Sequence, residues 1–489
     1  LDGPITLPGD PFGPIVTSGN DGNGFSVTVT GDGFAMALLL DAQADNNSAN
    51  GFDISVTATN GPSIAALVSS DLLYGLVNDM DVLPEPIEFD PIGRISASGN
   101  GSNGVHLVQS GTSGAYGVLV GLDADHNALD GIHVSQESSD GDAYAILVDT
   151  DAADNGDDGI ELSLAAAGYA ISAMIFPDVD RNGDAGIHVT EASVNADAYA
   201  LLCGGDAYDN DGVGLWYSLN AANGDAAACV TDTYSDFNGA RGAHFAITAG
   251  DDAALLVGTN ALPLFDLEFS GFLGGDVLNF FWDAIPQGGS SFYGNGAGGL
   301  QADLTSTGGN VLLDVDGADA TFNTNNGFNV SLTALNGSIF ARFSDNWNND
   351  NGGNGINVEL NGAGGTANLG FLNLRTIGND LNGINVVENY NGSVEIGGER
   401  IVSENNLGNG VRLVMSGLGG APTLDFGGGT LGSLGNSSIF GNGNRDFRYN
   451  NGGGATVMAE NNWWGVGGGT FAGSIDRVPA LGSDPNPLP

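Results

Sequence analysis

The chain has 489 residues, of which 59 are acidic and only 10 are basic, and every basic residue is arginine. A formal net charge of −49 excludes a nucleic-acid binder and a protein recruited to anionic membranes, because both need clustered cations. With 41% hydrophobic residues, the chain is too apolar to be a disordered acidic polymer. It also contains no apolar run of the ~20 residues that a membrane-spanning helix needs.

The chain begins with a predicted extended, proline-rich arm over residues 1–20 and closes with another over residues 466–489. Terminal arms of this kind order when they dock on something, and we expect these to contact a neighbouring copy. The apolar residues predicted to make that interface are Leu1, Ile5, Leu7, Phe12, Val478, Leu481 and Leu488. The start at Leu rather than Met is typical of a processed, secreted protein.

A short pattern recurs between the arms, over residues 21–465: a small or polar residue, glycine, then apolar, any, apolar. Most neighbouring glycines of the pattern are 26 to 30 residues apart. They are Gly24, Gly51, Gly104, Gly131, Gly159, Gly186, Gly212, Gly242, Gly299, Gly327, Gly355, Gly383 and Gly410. Two steps are longer, at 53 and 57 residues, and we expect each to hold one further turn, at Gly75 and Gly271.

Each period contains two or three short alternating runs rich in Val, Ile, Leu and Ala, separated by clusters of Asn, Asp and Gly. This pattern predicts strands of about 4 to 6 residues joined by tight turns, with no helix. Turns stacked ~4.8 Å apart predict a β-coil of about 15–17 turns and ~28 residues per turn, in the form of a rod ~75 Å long.

The Asn-Gly-apolar repeat resembles that of the right-handed parallel β-helix proteins, the pectate-lyase-like class found in many secreted bacterial proteins. The closing segments 439–448 and 460–465 look like the final turns of such proteins. The resemblance implies an all-β, single-stranded, right-handed parallel β-helix, a fold that hosts lyases, hydrolases, adhesins and structural proteins. A calcium-dependent nonapeptide β-roll is the alternative, but the chain has only fragments of its motif.

Acidic residues recur in the turn before the glycine, where stacked carboxylates repel one another unless cations or water intervene. The segment from Asp178 also matches the opening of an EF-hand-like loop, although Val189 stands where the closing glutamate belongs. Calcium between turns is therefore one interpretation, and a solvated acidic face supported by asparagine ladders is the other. The candidate calcium ligands are Asp123, Asp125, Asn127, Asp151, Asp154, Asp178, Asp180, Asn182, Asp184, Asp206 and Asp209.

Four of the five histidines fall in one predicted outward column, which reads His106, His133, Glu161, His188, Gly214, His244. Imidazoles ~5 Å apart can share a divalent ion with a carboxylate, so His133, Glu161 and His188 are candidate transition-metal ligands. Cross-strand pairing of His beside Glu explains the same pattern without a metal.

Cys203 and Cys229 each precede the first Asp of their turn by three residues, which predicts equivalent positions on consecutive turns. Their expected separation suits a disulfide, and two buried thiols are the alternative.

Residues 264–293 form aromatic-rich turns of the predicted β-helix. The run Phe280, Phe281 and Trp282 cannot point entirely inward from one strand, so at least one ring is expected at an interface or under a covering loop.

We predict no catalytic residues. The chain lacks lysine and the Gly-His-Gly and Asn-Thr-Asp motifs of polygalacturonases, and its charge repels polyuronates. The repeat and the arms favour a secreted structural protein, a subunit of an extracellular filament or surface layer that binds itself. A polysaccharide-active lyase or hydrolase and a polysaccharide-binding or cell-surface adhesin are the alternatives. Calcium is the one expected cofactor, and no nucleic acid is expected as a partner.

Overall fold

The computed structural model describes residues 15–69, 95–258, 289–450 and 454–486. These residues form an all-β parallel solenoid of about 14 turns with about 28 residues per turn, which confirms the predicted fold. They contain no helix, and hence none that is long and apolar enough to cross a membrane. The predicted interface residues outside the described part are Leu1, Ile5, Leu7, Phe12, Phe280, Phe281, Trp282 and Leu488.

The chain divides into two compact units, Leu1–Glu191 and Ala192–Pro489. The strands of the first unit, the last of which ends just beyond it, are β1 (Ile15–Ser18), β2 (Phe25–Gly31), β3 (Ala35–Leu40), β4 (Ala42–Asp45), β5 (Phe52–Ala58), β6 (Pro62–Val68), β7 (Ile95–Ser96), β8 (Val105–Gly111), β9 (Gly114–Asp123), β10 (Ile132–Ser138), β11 (Asp142–Asp151), β12 (Ile160–Ala166), β13 (Ala170–Ile175) and β14 (Ile187–Ser193).

The strands of the second unit are β15 (Ala198–Cys203), β16 (Leu215–Ala221), β17 (Ala226–Thr231), β18 (Ala243–Ala249), β19 (Ala253–Gly258), β20 (Leu300–Ser306), β21 (Val311–Asp316), β22 (Phe328–Ala334), β23 (Ile339–Ser344), β24 (Ile356–Leu372), β25 (Arg375–Ile377), β26 (Ile384–Glu399), β27 (Val402–Glu404), β28 (Val411–Met415), β29 (Thr423–Asp425), β30 (Ser438–Phe440), β31 (Phe447–Asn450), β32 (Val457–Met458), β33 (Phe471–Ala472) and β34 (Ile475–Asp476).

Each turn contributes one strand to a first sheet, directly after the repeat glycine, and a second strand to a second sheet. In β5 of the first sheet, Phe52, Ile54 and Val56 are buried and the residues between them are half-buried. Parallel pairing in register places Ile54 beside Leu107 and Leu107 beside Val134. Apolar residues of successive turns therefore stack into columns, and burying each one stabilises the fold by about 1.5–3 kcal/mol.

The two long steps of the repeat add no turn to the stack. Strand β5 pairs directly with β8, and β18 pairs directly with β20. The extra turns predicted at Gly75 and Gly271 are therefore wrong: both glycines lie outside the described residues, and the strands on either side already hydrogen-bond to each other. This direct pairing explains why the solenoid has about 14 turns rather than 15–17.

A ladder of asparagine side chains runs through the turns of each unit. Within the first unit, each side-chain Nδ2 donates to the Oδ1 of the next asparagine at 2.8–3.1 Å, and within the second unit at 2.9–3.2 Å. The members are Asn20, Asn47, Asn100, Asn127, Asn155 and Asn182 in the first unit, and Asn210, Asn238, Asn295, Asn323, Asn351, Asn379, Asn406 and Asn442 in the second.

The asparagine ladder explains the local sequence of the turns. Oδ1 of Asn155 accepts from both the backbone N–H and Nδ2 of Asn127, so one side chain satisfies two buried donors. A Cβ on Gly131 would lie only 2.7 Å from Nδ2 of Asn155, which is why glycine recurs there. The residue before each ladder member has a positive φ, as at His126 with 58° and Asp154 with 57°.

Strand pairing reaches into both predicted arms. Strand β1 pairs with β4, and the short strands β33 and β34 pair with β31 and β32. Beyond them, the carbonyl of Pro479 accepts from Asn461 N–H at 2.7 Å, and Leu481 N–H donates to the carbonyl of Asn462 at 3.0 Å. The last described residues therefore lie on their own chain, while Val478 is 73% exposed.

Glu191 points into the core from β14 and is 1% exposed. Neither of its carboxylate oxygens makes a hydrogen bond of normal length to the described residues. Burial raises the pKa of Glu191 well above its ordinary value, and an interaction with Ser172 offsets only part of the rise. Folding therefore favours the neutral form of this carboxyl group.

Replacing Asn155 by alanine should destabilise the protein by about 2–3 kcal/mol, because the donors of Asn127 lose their acceptor inside the core. Thermal unfolding followed by circular dichroism measures the change. Asn60→Ala is the control, since Asn60 is exposed and bonds only to Asp32, and we expect it to change stability little. Equal effects of the two substitutions would contradict a structural role for the ladder.

Glu191→Gln should alter the pH dependence of stability. Below about pH 4 glutamate is protonated in both states, so the variant should unfold at the wild-type temperature. Above about pH 4 the glutamate ionises in the unfolded state but not in the folded state. The free energy of unfolding of the wild type therefore falls, by about 1.4 kcal/mol for each pH unit by which folding raises the pKa. That of the variant does not fall for this reason. Thermal scans across pH test this, with the exposed Glu137→Gln as control. Parallel wild-type and Glu191→Gln profiles would refute it.

Candidate functional site

The outward column of the first sheet carries both imidazoles and carboxylates in the first unit. Register places Asp53 beside His106, His106 beside His133, and His133 beside Glu161. Nδ1 of His106 lies 2.9 Å from Asp53 Oδ1, and the rings of His106 and His133 are 5.3 Å apart. Of the predicted residues, Glu161 lies within 4.8 Å of His133 in one group of ligand atoms and of His188 in another, and no group holds both histidines.

Two aspartates complete these two groups. Nδ1 of His133 lies 2.5 Å from Glu161 Oε2 and 3.4 Å from Asp130 Oδ2. Nδ1 of His188 lies 3.1 Å from Asp158 Oδ2. We call Asp53, His106, Asp130, His133, Asp158, Glu161 and His188 the histidine–carboxylate strip.

Both aspartates are 7% exposed, whereas the imidazole and glutamate side chains of the two groups are 24–30% exposed. The hydrogen bond to Asp130 raises the pKa of His133, and the bond to Asp158 raises that of His188, although burial opposes both shifts. The imidazoles therefore hold a proton more firmly than in water. The mixed nitrogen and oxygen donors also suit a divalent transition metal.

The sequence interpretation missed Asp130 and Asp158. Each stands directly before a repeat glycine and three residues before a member of the outward column, His133 or Glu161, and so lies in a neighbouring column. The sequence did contain a signal for this column. The residue before the repeat glycine is polar on successive turns, since Asn103 holds this position one turn before Asp130. A search along a single column does not find ligands that converge from two columns.

In the second unit the predicted column is displaced by two residues. Trp216, and not Gly214, lies opposite His244, because β16 begins at Leu215. His244 instead contacts Asp303, with Nε2 and Oδ2 at 3.2 Å. The fourth histidine of the column therefore lies outside the strip, with Asp303 as its hydrogen-bonding partner and the Trp216 ring stacked 6.1 Å away.

The predicted calcium ligands stack on successive turns, but most of them do not belong to a group of converging ligand atoms. Asp123, Asp151 and Asp178 occupy equivalent positions on successive turns. Burial, with neighbouring carboxylates adding to it, raises the pKa of Asp178 to about 6. In the described residues, three groups of His, Asp or Glu bring their ligand atoms within 4.8 Å, and Asp184 joins one of them, with Asp157 and Asp158.

Two of the predicted calcium ligands have another role. Asn127 and Asn182 are buried members of the asparagine ladder, and Asn182 Oδ1 accepts from the N–H and Nδ2 of Asn155. Asn182 is therefore engaged in the ladder, and calcium binding by the loop that begins at Asp178 stays a prediction. Asp154 accepts two hydrogen bonds from Arg181, at 2.9 and 2.8 Å. The other candidates lie outside the three groups, and calcium binding by them stays a prediction: Asp125, Asp180, Asp206 and Asp209.

The predicted disulfide is not formed: Cys203 and Cys229 are buried free thiols. Register places Cys229 opposite Leu201 and Cys203 opposite Thr231. The turn repeats every 28 residues here, whereas the cysteines are 26 apart, so they are offset by two positions. Burial raises the pKa of both thiols, that of Cys203 to about 12.

Four exposed aromatic rings follow one corner of the second unit. Tyr208, Phe237, Tyr293 and Phe322 stand on successive turns with ring centroids 5.1–5.4 Å apart, and each ring is 36–54% exposed. We call these four residues the aromatic ladder. Phe237 and Phe322 have φ of 58° and 59°, a region that bulky residues rarely adopt. The equivalent position in other turns is held by glycine or by a polar residue, as at Gly294 and Asn405.

A groove of about 460 Å³ lies on the outward face of the second sheet in the second unit, beside Leu312, Phe340 and Glu395. Within it Arg342 donates Nε and Nη2 to the carboxylate of Asp314 at 2.8 and 2.6 Å. This pairing raises the pKa of Arg342. The guanidinium of Arg342 is thus held in the charged form by Asp314.

No protein-family model matches the chain, and neither a curated protein nor a solved structure matches it. Three surfaces therefore carry the functional information: the histidine–carboxylate strip, the aromatic ladder and the groove at Arg342. To these the first described turn adds a sheet edge without a partner among the described residues.

Proposed function

We propose that the chain is a secreted structural protein that binds further copies of itself, as a subunit of an extracellular filament or surface layer. The observation that carries this proposal is the open edge of the first described turn. Secretion is supported by the resemblance to secreted β-helix proteins.

The first turn presents unpaired strands and apolar side chains. Within the described residues, β2 pairs with β5 and β3 with β6, and neither has a partner on its other side. The side chains of Phe34, Met36, Leu38 and Leu40 are 45–53% exposed. An edge that combines free backbone groups with apolar side chains is a template for strand addition.

A second copy of the chain is the occupant that fits this edge. A parallel edge accepts a strand with the same spacing of backbone groups, and the described turns of the chain are built from such strands. The last described turns of the second unit carry their own terminal segment, where Asn486 Nδ2 donates to the carbonyl of Asn436 at 2.7 Å. The net charge of −49 disfavours broad side-by-side contact, so a local apolar edge is the favoured contact.

Light scattering of the full chain at micromolar concentration should show oligomers that grow with concentration. Leu38→Lys should weaken association by about tenfold or more, since it places a charge at the edge. Leu418→Lys is the matched control, because Leu418 is 64% exposed but far along the chain from this edge. A wild-type monomer, or equal weakening by both variants, would contradict the proposal.

The aromatic ladder favours a second candidate function, binding of a neutral polysaccharide. Exposed rings present apolar faces to sugar rings, and their regular spacing suits an extended chain. The positive φ of Phe237 and Phe322 costs about 1–2 kcal/mol per residue, and strain at bulky residues is typical of functional sites. The acidic surface argues for a neutral rather than an anionic glycan.

Phe237→Asn tests this candidate, because Asn405 occupies the equivalent position of another turn. The substitution should leave the unfolding temperature unchanged or higher, and reduce affinity for a neutral β-linked glucan by about tenfold, or ~1.4 kcal/mol. Trp347→Ala is the control, since Trp347 is 50% exposed and contacts Arg375 instead. Calorimetric titration would rule the candidate out if the wild type does not bind, or if Phe237→Asn binds as well as the wild type.

A further inference from the structure

We propose that the histidine–carboxylate strip binds divalent transition-metal ions of the Zn²⁺ class. One ion is held by Asp130, His133 and Glu161, and a second by Asp158, His188 and the same glutamate. In each triad the three ligand atoms lie within 4.8 Å of one another, so small side-chain shifts bring all three into contact with one ion. This site is independent of self-association and of glycan binding.

The charge of the strip calls for a cation. Three carboxylates meet two imidazoles here, and two of the carboxylates, on Asp130 and Asp158, belong to residues that are 7% exposed. The ion pairs of these carboxylates within the described residues involve histidine and no arginine. Buried carboxylates are costly without a compensating charge, and a divalent ion compensates more strongly than an imidazolium.

The aspartates are already oriented for this role. Oδ1 of Asp130 accepts the backbone N–H of Asp158 at 3.2 Å, and Oδ1 of Asp158 accepts the N–H of Ala185 at 2.8 Å. In both residues Oδ2 is the atom that faces the imidazole. Backbone donors that fix a ligand in this way belong to well-formed metal sites.

The donor set selects the class of ion. Each triad offers one imidazole nitrogen and two carboxylate oxygens, which suits zinc and its neighbours. Calcium and magnesium prefer oxygen-only shells, which the acidic turns supply better. Because the ligands stand on β10, β12, β14 and the turns before them, bound ions link three successive turns of the solenoid.

The test uses the full chain after chelator treatment, titrated with ZnCl₂ by calorimetry in excess Ca²⁺ to saturate the acidic turns. We expect two sites per chain and a higher unfolding temperature with Zn²⁺. His188→Ala should remove one site, and Glu161→Gln should weaken both by about tenfold or more. His244→Ala is the matched control, because His244 pairs with Asp303 outside the strip, and it should retain both sites.

Unfolding temperatures measured without metal separate ligand loss from misfolding, since each variant should match the wild type there within a few degrees. Zn²⁺ binding that survives both Glu161→Gln and His188→Ala would overturn the proposal and identify the acidic turns as the binding surface. Failure of the wild type to bind Zn²⁺ in excess Ca²⁺ would overturn it as well.

Discussion

The structure depends on the stacking of asparagine side chains inside the turns. A parallel solenoid pairs its strands through backbone hydrogen bonds, but each turn between strands leaves donors that must be satisfied away from water. One asparagine per turn meets this need by accepting two donors from one neighbour and donating to the next. The space that this amide occupies leaves no room for a Cβ at the repeat glycine. The asparagine and the glycine of the repeat therefore depend on each other.

The inward residues and the asparagines of the turns are needed for packing between turns. Side chains that bind or react therefore stand at outward positions and at turn corners. An outward residue costs little stability to change, and the short distance between turns brings equivalent residues together. The histidine–carboxylate strip and the aromatic ladder both use this geometry. The same geometry stacks the acidic turns, where burial, with neighbouring carboxylates adding to it, raises the pKa of Asp178.

The fold was predictable from sequence because two periods define a solenoid. The repeat glycine gives the length of the turn, and the alternation of apolar residues gives the two-residue period of the strands. His133, Glu161 and His188 were found for the same reason, since they share one column. Asp130 and Asp158 were missed because they approach from an adjacent column. The prediction of extra turns at Gly75 and Gly271 failed because an insertion about one period long has the same number of residues as a turn. The cysteine pairing failed because a two-residue change in loop length shifts the register.

Hydrogen–deuterium exchange, resolved by peptide, tests the asparagine ladder most directly. If the ladder holds the turns, the backbone amides of the turn between Asp123 and Gly131 should exchange as slowly as those of the flanking strands β9 and β10. This follows because Asn127 N–H and His126 N–H donate to the next turn at 2.9 and 3.0 Å. Rapid exchange of these turn amides beside protected strands would show that the sheets alone hold the solenoid, and would contradict this account.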